Sequence, residues 1–398
     1  MERFDAIVVG AGPAGSTTAY RLARAGASVL LADRARFPRD KPCGGGLTMR
    51  AVRQLPEDLS VEPVVEHVVE RMEICLRNAS RFERGSGRPL ILMTQRRRLD
   101  LHLAEQAAAA GADFRDGVRV EEIEVAGDGV SARLDGGRIA ASALVGADGA
   151  NGTAARTVGL GGTVVHGVAF EGNVAYEVLG ERRYRGLAAI DLGTIPGGYG
   201  WVFPKGDHVN VGVGGWESEG PGLRDRLRDL CRARGIDHDS VTSLRGHRLP
   251  LRRPGFVAAR GRALLVGDAA GLVDPLTGDG MYEAFVSSRL AADAVLDLLA
   301  GHAPSLDGYD TALSRALAPL HSASWGAKVA LDRYPRLTFA LGRMPVSWPV
   351  VERLLRGDIG HPGAERSRLA RIPLRLIEVL ARAAGNPGAA YRLETGAA

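Results

Sequence analysis

An α/β fold is predicted for this 398-residue chain by three observations. An apolar run at 6–9 leads into Gly10-Ala-Gly12-Pro-Ala-Gly15 and then into a helical stretch at 16–25. Two further apolar runs end at acids, 28–32 before Asp33 and 263–266 before Asp268. Between them, residues 164–216 alternate with the period-two pattern of a β-sheet. The combination describes a discontinuous Rossmann-like domain, a β-sheet substrate domain and a C-terminal helical segment.

The elements follow in order. Strand, G-x-G-x-x-G, helix, second strand and acid form a dinucleotide fingerprint. Gly10 permits the tight turn, Gly12 lets backbone amides approach a pyrophosphate, and Gly15 lets helix and strand pack closely. Asp33 is an acceptor for a ribose. Residues 35–50 form a loop rich in Pro, Gly and Arg, too long to be idle. Residues 51–95 mix short helix and strand signals. A helix is expected at 99–110, stopped by Gly111. Short strands fill 112–148, with turns at Gly127-Asp128-Gly129 and Asp135-Gly136-Gly137, the last strand running into Asp148. An amphipathic helix is expected at 223–234 and a long one at 280–300. From about 310 the pattern is helical, interrupted by Pro335, Pro345 and Pro349. The nucleotide domain is assigned to 1–50, 96–163 and 255–310, the substrate domain to 51–95 and 164–254, and the helical region to 311–398.

Bulk properties exclude several classes. Net charge is +5, but only Lys41, Lys205 and Lys328 are lysines, and the arginines are scattered among acids. No nucleic-acid surface is expected. Cys43, Cys75 and Cys231 are too few and too far apart for a disulfide framework or a metal site. No signal-peptide pattern and no apolar run of about 20 residues is present. A cytoplasmic protein is expected, with room for contact at the inner membrane face.

Val266-Gly267-Asp268-Ala-Ala-Gly271, the N-terminal fingerprint with its Pro13 and Ala14, and Gly146-Ala-Asp148-Gly149 together resemble glutathione-reductase-type FAD enzymes of the hydroxylase branch. Two further stretches narrow the resemblance. Pro42-Cys43-Gly44-Gly45-Gly46-Leu47 is similar to the cysteine-glycine segment of geranylgeranyl reductases. Tyr199-Gly-Trp201-Val-Phe203-Pro204, followed by Gly212-Val-Gly214, is similar to that family's Y-x-W-x-F-P…G-x-G element. The resemblance covers about residues 1–310 and implies an FAD-binding domain and hydrogenation of isoprenoid double bonds.

It also implies roles by position. Gly10, Gly12, Pro13, Ala14 and Gly15 would hold the FAD pyrophosphate, with Asp33 and Arg34 at the adenosine ribose. Arg96, from Arg96-Arg-Arg-Leu99-Asp100, would lie near the phosphates, and backbone at Val120 near the adenine. Arg97 and Arg98 read as a solvated helix start. Gly267 and Asp268 would meet the ribityl chain or pyrophosphate, while Asp148 and Gly149 are read equally as site or scaffold. Pro275, Gly278, Gly280 and Met281 would pass close to the isoalloxazine, the following helix pointing its positive end at the flavin. Asp279 is expected to turn outward and cap that helix.

Cys43 and Gly44 have two readings: a small-residue loop, or a thiol beside the flavin acting as proton donor or redox gate. Cys75 and Cys231 read as core fillers. Tyr199, Trp201 and Phe203 share one strand face, which lines a prenyl channel or belongs to ordinary sheet core. Tyr199 keeps a hydroxyl for proton relay, and Trp201 is grouped with Tyr199 and Cys43 as a catalytic candidate. His166, His208 and His247 have no partner at useful spacing and receive no role, and no metal is expected. No second glycine fingerprint follows a strand, so electrons would come from NAD(P)H in transient docking or from a small redox protein.

At the C-terminal end, 366–384 sets Leu369, Ile372, Leu376, Val379 and Leu380 among Arg366, Arg368, Arg371, Arg375 and Arg382. That pattern suits an anionic membrane surface or a helix packed on its own protein.

Three functions compete. The first is reduction of carbon-carbon double bonds in a hydrophobic prenyl lipid, either a geranylgeranyl lipid or a polyprenyl quinone tail. The second is a flavin monooxygenase acting on an aromatic or polyketide substrate. The third is a non-catalytic, lipid-binding flavoprotein. A halogenase is set aside because its signature tryptophans and lysine have no counterpart.

Overall fold

The computed structural model describes residues 1–127, 129–179 and 183–385; Asp128 of the expected 127–129 turn lies outside them. Its first sheet gathers strands that lie far apart in the sequence. The path runs Ala259–Arg260, Ala263–Leu265, Gly137–Gly146, Glu2–Val9, Val29–Asp33 and Asp113–Asp116. The four central pairings are parallel, with Val8 opposite both Leu31 and Val145. Ala6, Ile7 and Val8 are consecutively apolar and fully buried, as expected of a central strand covered on both faces. Val120–Val125 and Val130–Leu134 extend Gly137–Gly146 as an antiparallel meander.

The Pro13–Arg24 helix packs between Met281–Leu299 and Arg96–Ala109. It begins three residues earlier than its apolar pattern suggests. Gly12 is the N-cap and Pro13 takes the first helical position, where its missing N–H costs nothing. Arg96–Ala109 also starts early, which puts Arg96 in its first turn. The 263–268 run is strand only through Leu265, and Asp268 lies in a following 3₁₀ turn, Gly267–Ala270.

A second sheet has seven strands, in the order Thr242–Arg252, Val164–Ala175, His208–Trp216, Tyr199–Pro204, Leu187–Leu192, Arg71–Leu76 and Ser80–Gly85. All pairings are antiparallel except Leu187–Leu192 with Arg71–Leu76. The Leu223–Arg234 helix covers one face, burying Leu227, Leu230 and Cys231 against Val209, Val211 and Val213. The opposite face carries Trp201, and the residue paired with it across the strands is Gly212. A Cβ on Gly212 would lie 2.1 Å from the Trp201 ring, so the glycine makes room for the indole.

Four helices complete the described chain: Gly308–Arg333, Pro335–Arg343, Trp348–Arg356 and Arg371–Ala383. Pro335 starts the second and Pro349 lies in the first turn of the third, so both prolines mark boundaries. Pro319 lies within Gly308–Arg333 without ending it. The last helix begins at Arg371 rather than 366, with Pro373 in its opening turn.

Candidate active site

One continuous cavity of about 770 Å³ lies between the two sheets and the C-terminal helices. Its first end is the glycine turn. Gly10 has φ +106°, and a Cβ there would meet the Ala147 carbonyl oxygen at 2.4 Å. Gly12, Pro13 and Ala14 line the wall, whereas Gly15 does not: it packs behind, where a Cβ would lie 1.9 Å from the Gly10 oxygen. The open side of Gly12 faces two guanidinium groups, Arg39 and Arg96, 3.6 and 3.9 Å from where its Cβ would stand. Asp100 holds both. It takes two bonds of 2.7 Å from Arg96 and one contact of 2.9 Å from Arg39. Free amides at a helix start and two fixed cations are groups that could hold a pyrophosphate.

Asp33 accepts the amides of Ala11 and Ala35, both at 2.8 Å, tying the glycine turn to the end of the second strand. Arg34 and Val120 stand at the same end of the cavity. Asp148 lines the wall too, yet one of its oxygens accepts the Thr153 and Ala154 amides at 2.6 and 2.9 Å. It therefore serves as scaffold while bordering the site. Gly149, with φ +76°, continues the turn beside Lys41.

At mid-cavity, Asp268 pairs with Lys41 at 3.0 Å and has His247 at 3.9 Å. Burial raises its carboxyl, but Lys41 and His247 outweigh burial and hold it well below the usual carboxylate range. His247 thus has a site partner that sequence spacing could not reveal, because 21 positions of irregular chain separate it from Asp268. Gly267, Pro275, Gly278, Gly280 and Met281 line the adjoining wall, where the Met281–Leu299 helix starts. Asp279 accepts the Met281 amide at 2.9 Å, the capping bond expected of it. It does not turn away from the cavity but lines it, and burial raises its carboxyl.

The aromatic wall comes next. Tyr199, Trp201 and Phe203 stand in a row, with ring centroids 5.9 and 6.2 Å apart. Trp201 Nε1 donates to Asn210 Oδ1 at 2.7 Å, so its only polar hydrogen is committed and its ring is apolar surface. The Tyr199 hydroxyl donates to the Thr277 carbonyl oxygen, and burial with Asp279 and Asp274 nearby pushes it up. It holds its proton tightly and is poorly disposed as a relay. The C-terminal helices add Leu320, Ala323, Val351, Leu354 and Leu355 to the lining, together with Ser324 and Lys328.

Cys43 and Gly44 stand opposite the aromatic row. A Cβ on Gly44 would lie 2.9 Å from Phe203. Cys43 is half-buried and lines the cavity; Cys75 and Cys231 are fully buried, their thiols pushed up to about 12 and about 11 by burial first of all. Arg97 and Arg98 are exposed.

Other groups carried no signal that the sequence pattern could read. Arg39 and Lys41 sit in the loop noted for its length. Lys205 follows the Y-x-W-x-F-P element directly. Asp274, Glu283 and His321 bring three ligating atoms within 4.8 Å of one another, all buried, behind the 275–281 loop. Burial raises the Glu283 carboxyl well above its ordinary value and lowers His321.

Comparison with known proteins agrees with this geometry. Residues 3–187 match the model of the FAD binding domain family. The chain is 31% identical over 350 residues to the chloroplastic geranylgeranyl diphosphate reductase of Oryza sativa subsp. japonica, covering 83% of this chain and 74% of that one. It is 34% identical over 321 residues to the menaquinone reductase of Mycolicibacterium smegmatis, covering 73% and 76%. The crystal structure of a geranylgeranyl bacteriochlorophyll reductase-like protein from Thermoplasma acidophilum superimposes with a TM-score of 0.75 at 22% identity, covering 96% of this chain and all of that one. At that identity the superposition speaks for the fold alone.

Proposed function

The chain belongs to the geranylgeranyl reductase family of FAD-dependent oxidoreductases, and on that footing we propose that it hydrogenates carbon–carbon double bonds of an isoprenoid chain, in a geranylgeranyl lipid or in the polyprenyl tail of a quinone. One observation carries the reading: the cavity that holds the phosphate cradle is also lined by three aromatic rings and a group of aliphatic side chains. A polar cofactor suits the cradle and a prenyl chain the apolar lining.

FAD, when bound and reduced, supplies the hydride. The protein's own groups do the rest. Arg39, Arg96 and the Pro13–Arg24 helix start hold the phosphates. Trp201 and Phe203 orient the chain and exclude water. The second hydrogen added to the alkene is a proton, and Cys43, on the wall facing those rings, holds one. NAD(P)H or a small redox protein is the electron source in this reading.

Substrate access is the final component. The exposed apolar residues Leu337, Met344, Val351, Leu369, Ile372, Leu376 and Val379 concentrate in the C-terminal helices. Between 335 and 385, nine arginines stand against four acids. That surface suits an anionic bilayer, met peripherally from the cytoplasmic side. Among the described residues, no helix is long and apolar enough to cross a membrane.

The test is an anaerobic turnover. The purified protein is reduced with dithionite and mixed under argon with geranylgeranyl lipid or menaquinone. Flavin reoxidation with hydrogen added to the prenyl chain supports the reading. A flavin that stays reduced until air is admitted, followed by hydroxylation of an aromatic substrate, replaces it with a monooxygenase.

A further inference from the structure

The Cys43 loop rests on two ionisable side chains that neither bind the phosphates nor line the aromatic row. Glu171, on Val164–Ala175, accepts the Cys43 amide at 2.7 Å. Lys205, just after Tyr199–Pro204, donates to the carbonyl oxygens of Gly44 and of Thr94, the latter at 2.7 Å. Thr94 in turn bonds the Gly45 oxygen through its amide and its hydroxyl, at 2.8 and 3.2 Å. Three consecutive residues are thus pinned by backbone. Among the described residues, the Cys43 sulfur receives the Gly45 amide alone, at 3.3 Å. Gly45 must be glycine: φ is +71°, and a Cβ would stand 2.0 Å from Lys205 Nζ.

Lys205 is buried, and among the described residues it has no carboxylate within 4 Å. Both of its bonds go to neutral carbonyls. An ammonium left in that condition is expensive. The ionisable groups that act on it are Cys43, Glu171, Glu66 and Asp40. Glu66 is occupied by Arg98 and Gln95, and Asp40 by Arg245. Glu171 is buried, and burial raises its carboxyl, while the Cys43 amide and Lys205 favour its charged form. Burial brings Lys205 down to about 8, so it is still mostly charged near neutrality.

We propose that Lys205 is the fixed counter-charge for the Cys43 thiolate, and that Glu171 balances the same ammonium while Cys43 keeps its proton. When Cys43 loses a proton the sulfur becomes negative and Lys205 is unchanged; no bond to Lys205 forms or breaks. Lys205 acts through Cys43 and is a positioning residue. The inference rests on the reading of Cys43 as proton donor, but it concerns the thiol itself.

The experiment measures alkylation of Cys43 by iodoacetamide against pH, on full-length flavin-loaded protein, with peptide mass spectrometry separating it from the buried Cys75 and Cys231. Lys205→Met is expected to slow alkylation at pH 7.5 about tenfold, the factor carried by one unit of thiol acidity, and to move the profile to higher pH. Lys205→Arg keeps the charge and is expected to restore the wild-type profile. Equal rates in wild type and Lys205→Met overturn the proposal. If Lys205→Met fails to hold flavin, Glu171→Gln decides: faster alkylation upholds the idea, and an equal or slower rate overturns it. No prenyl substrate is used. A Lys205-dependent thiol in a protein that reduces no prenyl chain removes the functional reading and leaves this one, and the converse result does the opposite.

Discussion

Trp216 and Trp325 stack with ring centroids 6.1 Å apart and planes 16° from parallel. Lys328 sits over the Trp216 ring at 4.3 Å and Arg253 over the Trp325 ring at 5.1 Å. Trp216 ends a strand of the second sheet, and Trp325 lies in the buried face of Gly308–Arg333. The stack therefore bolts the helical region to the sheet beside the cavity.

Trp325→Ala removes the centre of that arrangement. A stability loss of about 3–5 kcal/mol is expected, read as a lower midpoint in urea denaturation. Loss of less than about 1 kcal/mol would show that the contact is incidental.

Asp100→Asn unclamps Arg96 and Arg39 together. Breaking a buried pair of this kind costs about 3 kcal/mol or more. Flavin affinity is expected to fall about 10- to 100-fold, as the cradle loses its fixed charged donors. Titration of FAD into deflavinated protein measures it.

Gly212→Ala puts a methyl group where Trp201 now lies. Overpacking of this sort costs about 1–3 kcal/mol. Flavin content should hold, because Gly212 is remote from the phosphate end. Prenyl turnover should drop, by up to about 100-fold if the ring moves by roughly 1 Å.

The Lys205 ammonium has a definite pH signature. Its value is lowered from 10.5 to about 8 on folding. Between those limits the unfolded chain holds a proton that the folded chain lacks, so stability rises with pH across that window. The gain is roughly 3 kcal/mol between pH 8 and 10.5. Below pH 8 both states are protonated and this contribution is flat. Denaturation at several pH values should show the rise in wild type relative to Lys205→Met.

Arg371→Glu with Arg375→Glu reverses two charges on the exposed C-terminal helix. Co-sedimentation with phosphatidylglycerol vesicles should fall by more than about tenfold, given about 1 kcal/mol per basic residue at an anionic surface. Phosphatidylcholine vesicles should bind neither protein. Equal binding of both proteins to anionic vesicles would remove the helix from the membrane reading.

Much of this architecture was legible in the chain because it depends on local rules. The glycine turn, its helix and Asp33 are contiguous, and Leu223–Arg234 was bounded correctly by its apolar period and its closing glycine. What escaped notice was produced by chain reversal. Nothing near His247 announces Asp268, and nothing near Lys205 announces the Gly44 carbonyl. Such pairs arise only when two sheets fold against each other. Arg39 escaped because an arginine in a loop looks like solvent-facing charge until Asp100 is placed beside it. Tyr199 shows the opposite failure: its hydroxyl seemed free in sequence, but the Thr277 carbonyl claims it.

The discontinuity of the first sheet sets a timetable. A ribosome that has released Gly10 to Gly15 has not yet made Asp268, the 275–281 loop or Leu354. Most of the cavity wall follows the turn in sequence. A complete flavin site therefore awaits synthesis of Asp268 and the 275–281 loop. Protein truncated ahead of Met281 would be colourless however well its first strands had folded.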